Sequence, residues 1–272
     1  MKSALPYKLV ATDLDGTLLR EDGSVSERTR DALAAVTAAG AAHIVVTGRA
    51  APWTRHVLDD LGYQGLAVCA QGAQIYHAGE GRLLTSVTLD RRLAALAIAK
   101  IEAGTGPLAL AVSRDGLDGE VLVSADFRPH DGPLPVVPFE DPAELWSQPL
   151  NKVYIQHPEL SDDALAQTAR QVVGNLVDVV MAGPGVVEIL PLGLNKATGL
   201  SLAARRLKLT AADTIAFGDM PNDIPMFGWA ARGVAMANAH DSLKSVAHEV
   251  TSSNEDDGIA VVLERLLQGP RI

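Results

Sequence analysis

An apolar stretch, Leu9-Val10-Ala11-Thr12, runs directly into Asp13-Leu14-Asp15-Gly16-Thr17-Leu18-Leu19. The apolar part reads as a buried strand, which commits the chain to a covered sheet with carboxylates at its edge. Alternate residues of an extended backbone point the same way, so Asp13 and Asp15 are expected to leave the strand on a common side. Gly16 then permits a sharp turn. Two neighbouring carboxylates repel unless a cation or a shared proton compensates. Mg2+ suits such a pair, since it takes oxygen ligands and keeps part of its water. A carboxylate free to attack would be a nucleophile of the aspartyl-phosphate kind. A calcium loop of the EF-hand type needs a preceding helix and a Glu at its twelfth position. Counted from Asp13 that position is Ser24, and a strand precedes it.

Strands and helices alternate after this point. Ser26 can cap a helix that ends near Gly40, followed by a strand His43–Val46, a helix Thr54–Leu61 and a strand Leu66–Ala70. The pattern returns late in the chain. A helix Ala197–Leu207 precedes a strand Thr214–Phe217, a short helix after Asn222, a strand Gly233–Met236 and a helix Ile259–Leu267. This order predicts a parallel sheet with helices on both faces. The middle differs: Glu120–Val123 and Lys152–Gln156 alternate, helices are expected near Leu89–Glu102 and Asp162–Val173, and Pro129, Pro133, Pro135, Pro138, Pro142 and Pro149 mark a loop-rich stretch. A sheet with one face on helices and the other facing outward fits this segment.

The chain has 272 residues, enough for one large or two modest domains. A formal charge of −10 argues against nucleic acid or an anionic membrane as the main partner. A phosphorylated substrate would therefore need positive charge supplied locally. The single cysteine, Cys69, lies in an apolar run and reads as core. With no signal-peptide pattern and no apolar run of membrane-spanning length, a soluble cytoplasmic protein is expected.

Three more strand ends carry polar residues. Ile44-Val45-Val46 meets Thr47-Gly48-Arg49, where a hydroxyl and a glycine amide make a phosphate cradle. Val187-Glu188-Ile189-Leu190-Pro191 leads to Asn195-Lys196 at a helix start, and Ile215-Ala216-Phe217-Gly218 ends in Asp219-Met220-Pro221-Asn222-Asp223. Ligands of open α/β sheets bind beyond the carboxyl ends of the strands, so these clusters can converge.

In this order the residues resemble the four motifs of the haloacid dehalogenase superfamily, above all the Cof-like, class IIB phosphatases. Asp13 to Leu19 stands for the first motif, Val46 to Arg49 for the second, Lys196 for the third and Gly218 to Asp223 for the fourth. The long interval between Thr47 and Lys196 matches a large cap inserted between the second and third motifs. The resemblance implies a doubly wound, Rossmann-like core formed by residues 1–83 and 188–272, with an inserted α+β cap over 84–187. Two departures stand out: Gln71-Gly72-Ala73 where the family often has Asn-Gly-Ala, and Ala197 where its lysine is commonly followed by Gly.

The resemblance further implies a phosphatase acting on a small phosphorylated metabolite. Asp13 would be the nucleophile and Asp15 the general acid and base. Mg2+ would be held by Asp13, the main-chain carbonyl of Asp15 and Asp219, with Asp223 close by. Thr47, Gly48, Lys196 and Asn222 would orient the phosphoryl group, and Arg49 is either a phosphate ligand or part of a salt bridge. Lys152 begins a strand of the inserted segment and could reach a substrate, but a solvated strand end is the expectation. A phosphomutase would share Asp13 and Asp15 but return the phosphoryl group to a sugar. A non-enzymatic binding protein would be expected to lack one of these carboxylates.

Overall fold

A computed structural model describes residues 5–129, 136–183 and 185–269. The chain begins with β1 (Leu9–Thr12), α1 (Glu27–Ala38), β2 (Ala42–Val46), α2 (Ala51–Asp60), β3 (Leu66–Cys69), β4 (Gln74–His77) and β5 (Arg82–Ser86). Next come α3 (Arg91–Thr105), β6 (Ala109–Arg114), β7 (Val121–Val123), β8 (Val136–Pro138), β9 (Leu150–Gln156), α4 (Asp162–Val173), β10 (Asp178–Gly183) and β11 (Val186–Leu190). The chain then continues through α5 (Lys196–Arg206), β12 (Thr214–Gly218), α6 (Ile224–Trp229), β13 (Arg232–Ala235), α7 (Asp241–Lys244), β14 (Glu249–Val250) and α8 (Gly258–Gln268).

The first sheet has the order β14-β13-β12-β1-β2-β3-β4-β5. From β14 to β3 every pairing is parallel. Period-two alternation sends Val10, Val45, Ile215 and Phe217 to one face, where they pack with Val36, Leu58, Ile259 and Leu263. Leu9, Ala11, Ile44 and Ala216 face the other way, against Leu200, Ala203, Met226 and Phe227. This is the doubly wound core expected from the alternation of elements. One edge of the sheet departs from the parallel pattern: β4 and β5 form an antiparallel hairpin on β3. Gly81, at φ +63°, stands in the hairpin connection, and the half-exposed β5 closes the edge.

The second sheet has the order β10-β11-β9-β6-β7-β8 and is antiparallel except between β7 and β8. Val112, Leu122, Val153 and Ile155 pack on Ala97, Ile101, Leu165 and Ala169 of α3 and α4. The opposite face does not simply look outward: Ala111, Val121, Val123 and Tyr154 gather around Trp53 of α2. Trp53 and Tyr154 stack with centroids 6.4 Å apart. Pro138 closes a strand rather than lying in a loop, while Pro133 and Pro135 fall outside the described residues.

The strand containing Glu188 corrects the sequence reading. An apolar run looks the same in either sheet, and only its partners decide: β11 pairs antiparallel with β9 and β10. β5 likewise belongs to the first sheet. The two crossings therefore fall after Ser86 and after Leu190, slightly beyond the edges drawn at 84 and 188.

Candidate active site

The site lies at the carboxyl ends of β1, β2 and β12, where a parallel sheet opens toward its loops. Asp13 follows β1 directly, with its amide donating to the Phe217 carbonyl at 3.0 Å. Asp219 follows β12, and its Oδ1 accepts from Thr17 Oγ1 at 2.8 Å. Gly16, at φ +69°, lies against Asp219: a Cβ there would come within 2.4 Å of Oδ2. The glycine is thus required both by the turn and by the closeness of the acid.

Asp223 is fully buried and uses both oxygens. Oδ1 accepts from Lys196 Nζ at 2.6 Å, and Oδ2 accepts from the amides of Asp219 and Met220 at 3.0 and 3.1 Å. Lys196 opens α5, whose start is fixed by Asn195 accepting from the Thr198 amide. Gly72 and Gly199 let this helix end pack on the loop after β3, since a Cβ at Gly72 would lie 2.2 Å from the Asn195 carbonyl oxygen. Lys196 is only 1% exposed, and its Nζ also donates to Asp13 Oδ1 at 2.8 Å.

Asp13, Asp219 and Asp223 each offer a carboxylate oxygen within 4.8 Å of the others. Burial first, and then the charges of Asp223 and Asp219, hold the Asp13 carboxyl well above its usual range despite Lys196. Burial and the Asp223 charge push Asp219 up to about 6, against the Thr17 hydrogen bond and Lys196. Burial disfavours charge on Lys196, but Asp13 and Asp223 outweigh it and raise its pKa. One ammonium among three buried carboxylates leaves negative charge uncompensated. An all-oxygen donor set carrying that charge fits a hard divalent cation such as Mg2+.

Asp15 stands apart from the buried carboxylate cluster. Beyond Asp13 the chain leaves the strand and turns through Gly16. The Asp15 carboxylate lies outside the cluster and is half exposed, gripped by the Arg49 guanidinium, whose Nε donates to Oδ2 at 2.9 Å. Arg49 is thus in a salt bridge. Thr47 is buried, its Oγ1 accepting from the Arg49 amide at 3.0 Å. Gly48 abuts Gln71, where a Cβ would meet Nε2 at 2.6 Å. Asn222 donates from Nδ2 to Gln71 Oε1 at 3.2 Å, while its buried Oδ1 has no partner among the described residues.

Lys152 overturns its reading as a solvated strand end. It is buried and paired with Glu188 across the second sheet, with Nζ also donating to the Gly48 carbonyl at 2.6 Å. A lone acid inside Val187-Glu188-Ile189-Leu190 was the available signal, since apolar strands rarely carry an unpaired charge. Cys69 is buried core, and burial pushes its thiol up to about 12, which removes it as a nucleophile.

A doubly wound sheet, a second sheet entered from one of its edges, and a lysine among acids at the strand ends define a phosphoryl-handling hydrolase class. The sequence matches the model of the haloacid dehalogenase-like hydrolases over residues 10–263, and the chain belongs to that family. Among its relatives are two Bacillus subtilis proteins, the 5-amino-6-(5-phospho-D-ribitylamino)uracil phosphatases YitU and YwtE. YitU is 30% identical over 95% of this chain and 97% of its own length. YwtE is 29% identical over 96% and 99%. BT1666 of Bacteroides thetaiotaomicron, described as a phosphatase of this superfamily, superposes with a TM-score of 0.79 at 26% identity, covering 98% of this chain and 97% of that one. SMU.1108c from Streptococcus mutans UA159 shares the fold at a TM-score of 0.83 and 24% identity, over 97% and 100%. The chain is a phosphatase of the haloacid dehalogenase type.

Proposed function

We propose that the chain hydrolyses small phosphorylated metabolites with Mg2+, through phosphorylation of Asp13. The observation that carries this reading is the buried cluster of Asp13, Asp219 and Asp223 around Lys196, with Asp15 beside it in the grip of Arg49. Asp13, Asp219 and the Asp15 main-chain carbonyl would hold Mg2+, and Asp223 would fix Lys196 and the Asp219 amide rather than bind directly. When bound, the cation offsets the charge that accumulates between a phosphate dianion and these acids.

In the first step an Asp13 carboxylate oxygen attacks phosphorus, the bond to the leaving oxygen breaks, and Asp15 delivers a proton to that oxygen. In the second step Asp15 takes a proton from water, which attacks the phosphorylated Asp13 and releases inorganic phosphate. Lys196 holds Asp13 in place, and with Thr47, the Gly48 amide and Asn222 it surrounds the phosphoryl oxygens; positioning and charge stabilisation supply most of such a rate enhancement. Arg49 pairs with the Asp15 carboxylate and holds that side chain in place beside Thr47 and Gly48. The second sheet, as a cap, would exclude water and select the leaving group.

5-Amino-6-(5-phospho-D-ribitylamino)uracil, for which YitU and YwtE are named, and sugar phosphates head the panel to be tried; the setting is cytoplasmic. The test is phosphate release from that panel with Mg2+ and with excess chelator, alongside mass spectrometry of acid-quenched protein. Turnover that needs Mg2+, with phosphate on Asp13, supports the reading. Full activity in chelator, or transfer to a sugar in preference to water, refutes it.

A further inference from the structure

Two charges sit in the junction between the sheets. Lys152 on β9 and Glu188 on β11 are both buried and form an ion pair. Glu188 stands opposite Tyr154, which makes Lys152 its diagonal neighbour on the same face. Such a pair is weak evidence of stabilisation, because well-packed apolar residues in its place are often neutral or better. Its use is shown by where the remaining bonds go.

Each partner reaches across to a loop at the carboxyl end of the first sheet. Lys152 Nζ donates to the Gly48 carbonyl at 2.6 Å, and the N–H at the other end of that peptide unit, on Arg49, donates to Thr47 Oγ1 at 3.0 Å. A cation on the carbonyl polarises the peptide and strengthens its N–H as a donor. That N–H occupies a lone pair of the Thr47 hydroxyl and frees its hydrogen to donate elsewhere. Glu188 accepts from Gln71 Nε2 at 2.7 Å, and Gln71 Oε1 accepts from Asn222 Nδ2 at 3.2 Å. Ala70 and Gln71 both sit at positive φ, +49° and +57°, a backbone that surrounding contacts must hold.

We propose that Lys152 and Glu188 are positioning residues for the phosphate site. Lys152 sets Thr47 through the Gly48–Arg49 peptide, and Glu188 sets Asn222 through Gln71, so both are aimed when the second sheet is seated. This rests on the phosphatase reading of the same site. Neither residue needs to touch the substrate.

The test uses the full chain with Mg2+, p-nitrophenyl phosphate as substrate and inorganic phosphate as product inhibitor. Lys152→Met combined with Glu188→Gln removes the cation without stranding a charge and keeps an acceptor for Gln71. It is expected to lower kcat/KM about ten- to a hundredfold and weaken phosphate inhibition, with a melting temperature near that of the parent. Adding Thr47→Val should cost much less in this background than in the parent, whereas Asn222→Ala should cost the same in both. Gln71→Met, which leaves the ion pair intact, should show the opposite pattern, and it keeps the idea testable if the double variant does not fold. A purely structural role would lower activity without this crossed pattern. Full additivity in both backgrounds, or phosphate inhibition unchanged in both, overturns the proposal. A parent protein inactive on every phosphomonoester would instead overturn the phosphatase reading itself.

Discussion

Replacing Lys196 by Met tests whether the carboxylate cluster is held together by one charge. The ammonium lies 2.8 Å from Asp13 and 2.6 Å from Asp223. At an effective dielectric of about 20, each contact contributes about 6 kcal/mol of Coulomb attraction. Most of that is offset by the desolvation of Lys196. Removing one partner of a buried ion pair typically costs about 3–5 kcal/mol net, equivalent to a fall of roughly 6–20 °C in melting temperature for a chain of this size. Urea unfolding of parent and variant in chelator, followed by far-UV circular dichroism, measures the loss directly. Adding Asp223→Asn to the variant should recover a large part of it, since one of the stranded charges disappears. Mg2+ should also recover part, about 2.7 kcal/mol at a hundredfold excess over its dissociation constant. A loss below about 1 kcal/mol in chelator, or no recovery with Asp223→Asn, would refute the account of the cluster as mutually repelling acids tied by Lys196.

Asp15→Asn should spare the phosphorylation step far more with p-nitrophenyl phosphate than with a sugar phosphate, because nitrophenolate departs without a proton. A rapid burst of nitrophenol followed by slow turnover is the expected signature; equal losses on both substrates would sink the acid–base role. Gly72→Ala places a methyl 2.2 Å from the Asn195 carbonyl at φ +106° and should cost about 3 kcal/mol or more by denaturant titration. Tolerance of alanine there would show that α5 does not need this close approach. His43, bonded through Nε2 to Thr12 Oγ1, is lowered to about 4 by burial. A base with a depressed folded pKa contributes fully above its unfolded value near 6.5 and loses that contribution as pH falls toward 4. For a half-buried ring this amounts to between about 1 and 3 kcal/mol, and His43→Gln should flatten stability over that window. An unchanged pH profile would count against it.

Much of the site was legible in the sequence, because the motifs are local. Asp13, Asp219 and Asp223 each lie just beyond a strand end, and Lys196 at a helix start, so short-range spacing was enough to bring them to one mouth of the sheet. The pairing of Asp15 with Arg49 joins two motifs, and the spacing within either one does not reveal it. Lys152 was misread in burial, because a charge at a strand start looks solvated until the partner on another strand is known.

By itself the sequence determined the doubly wound core, since hydrophobic periodicity and strand–helix alternation are properties of neighbouring residues. It also determined the inventory of acids and the lysine at the strand ends. Only the tertiary structure decided which sheet received β11, that β4 and β5 close the parallel sheet with a hairpin, and that Lys152, Glu188, Gln71 and Asn222 form one chain of contacts. Those outcomes depend on partners far apart in the sequence, whose pairing is chosen by packing and by the need to satisfy buried charges together.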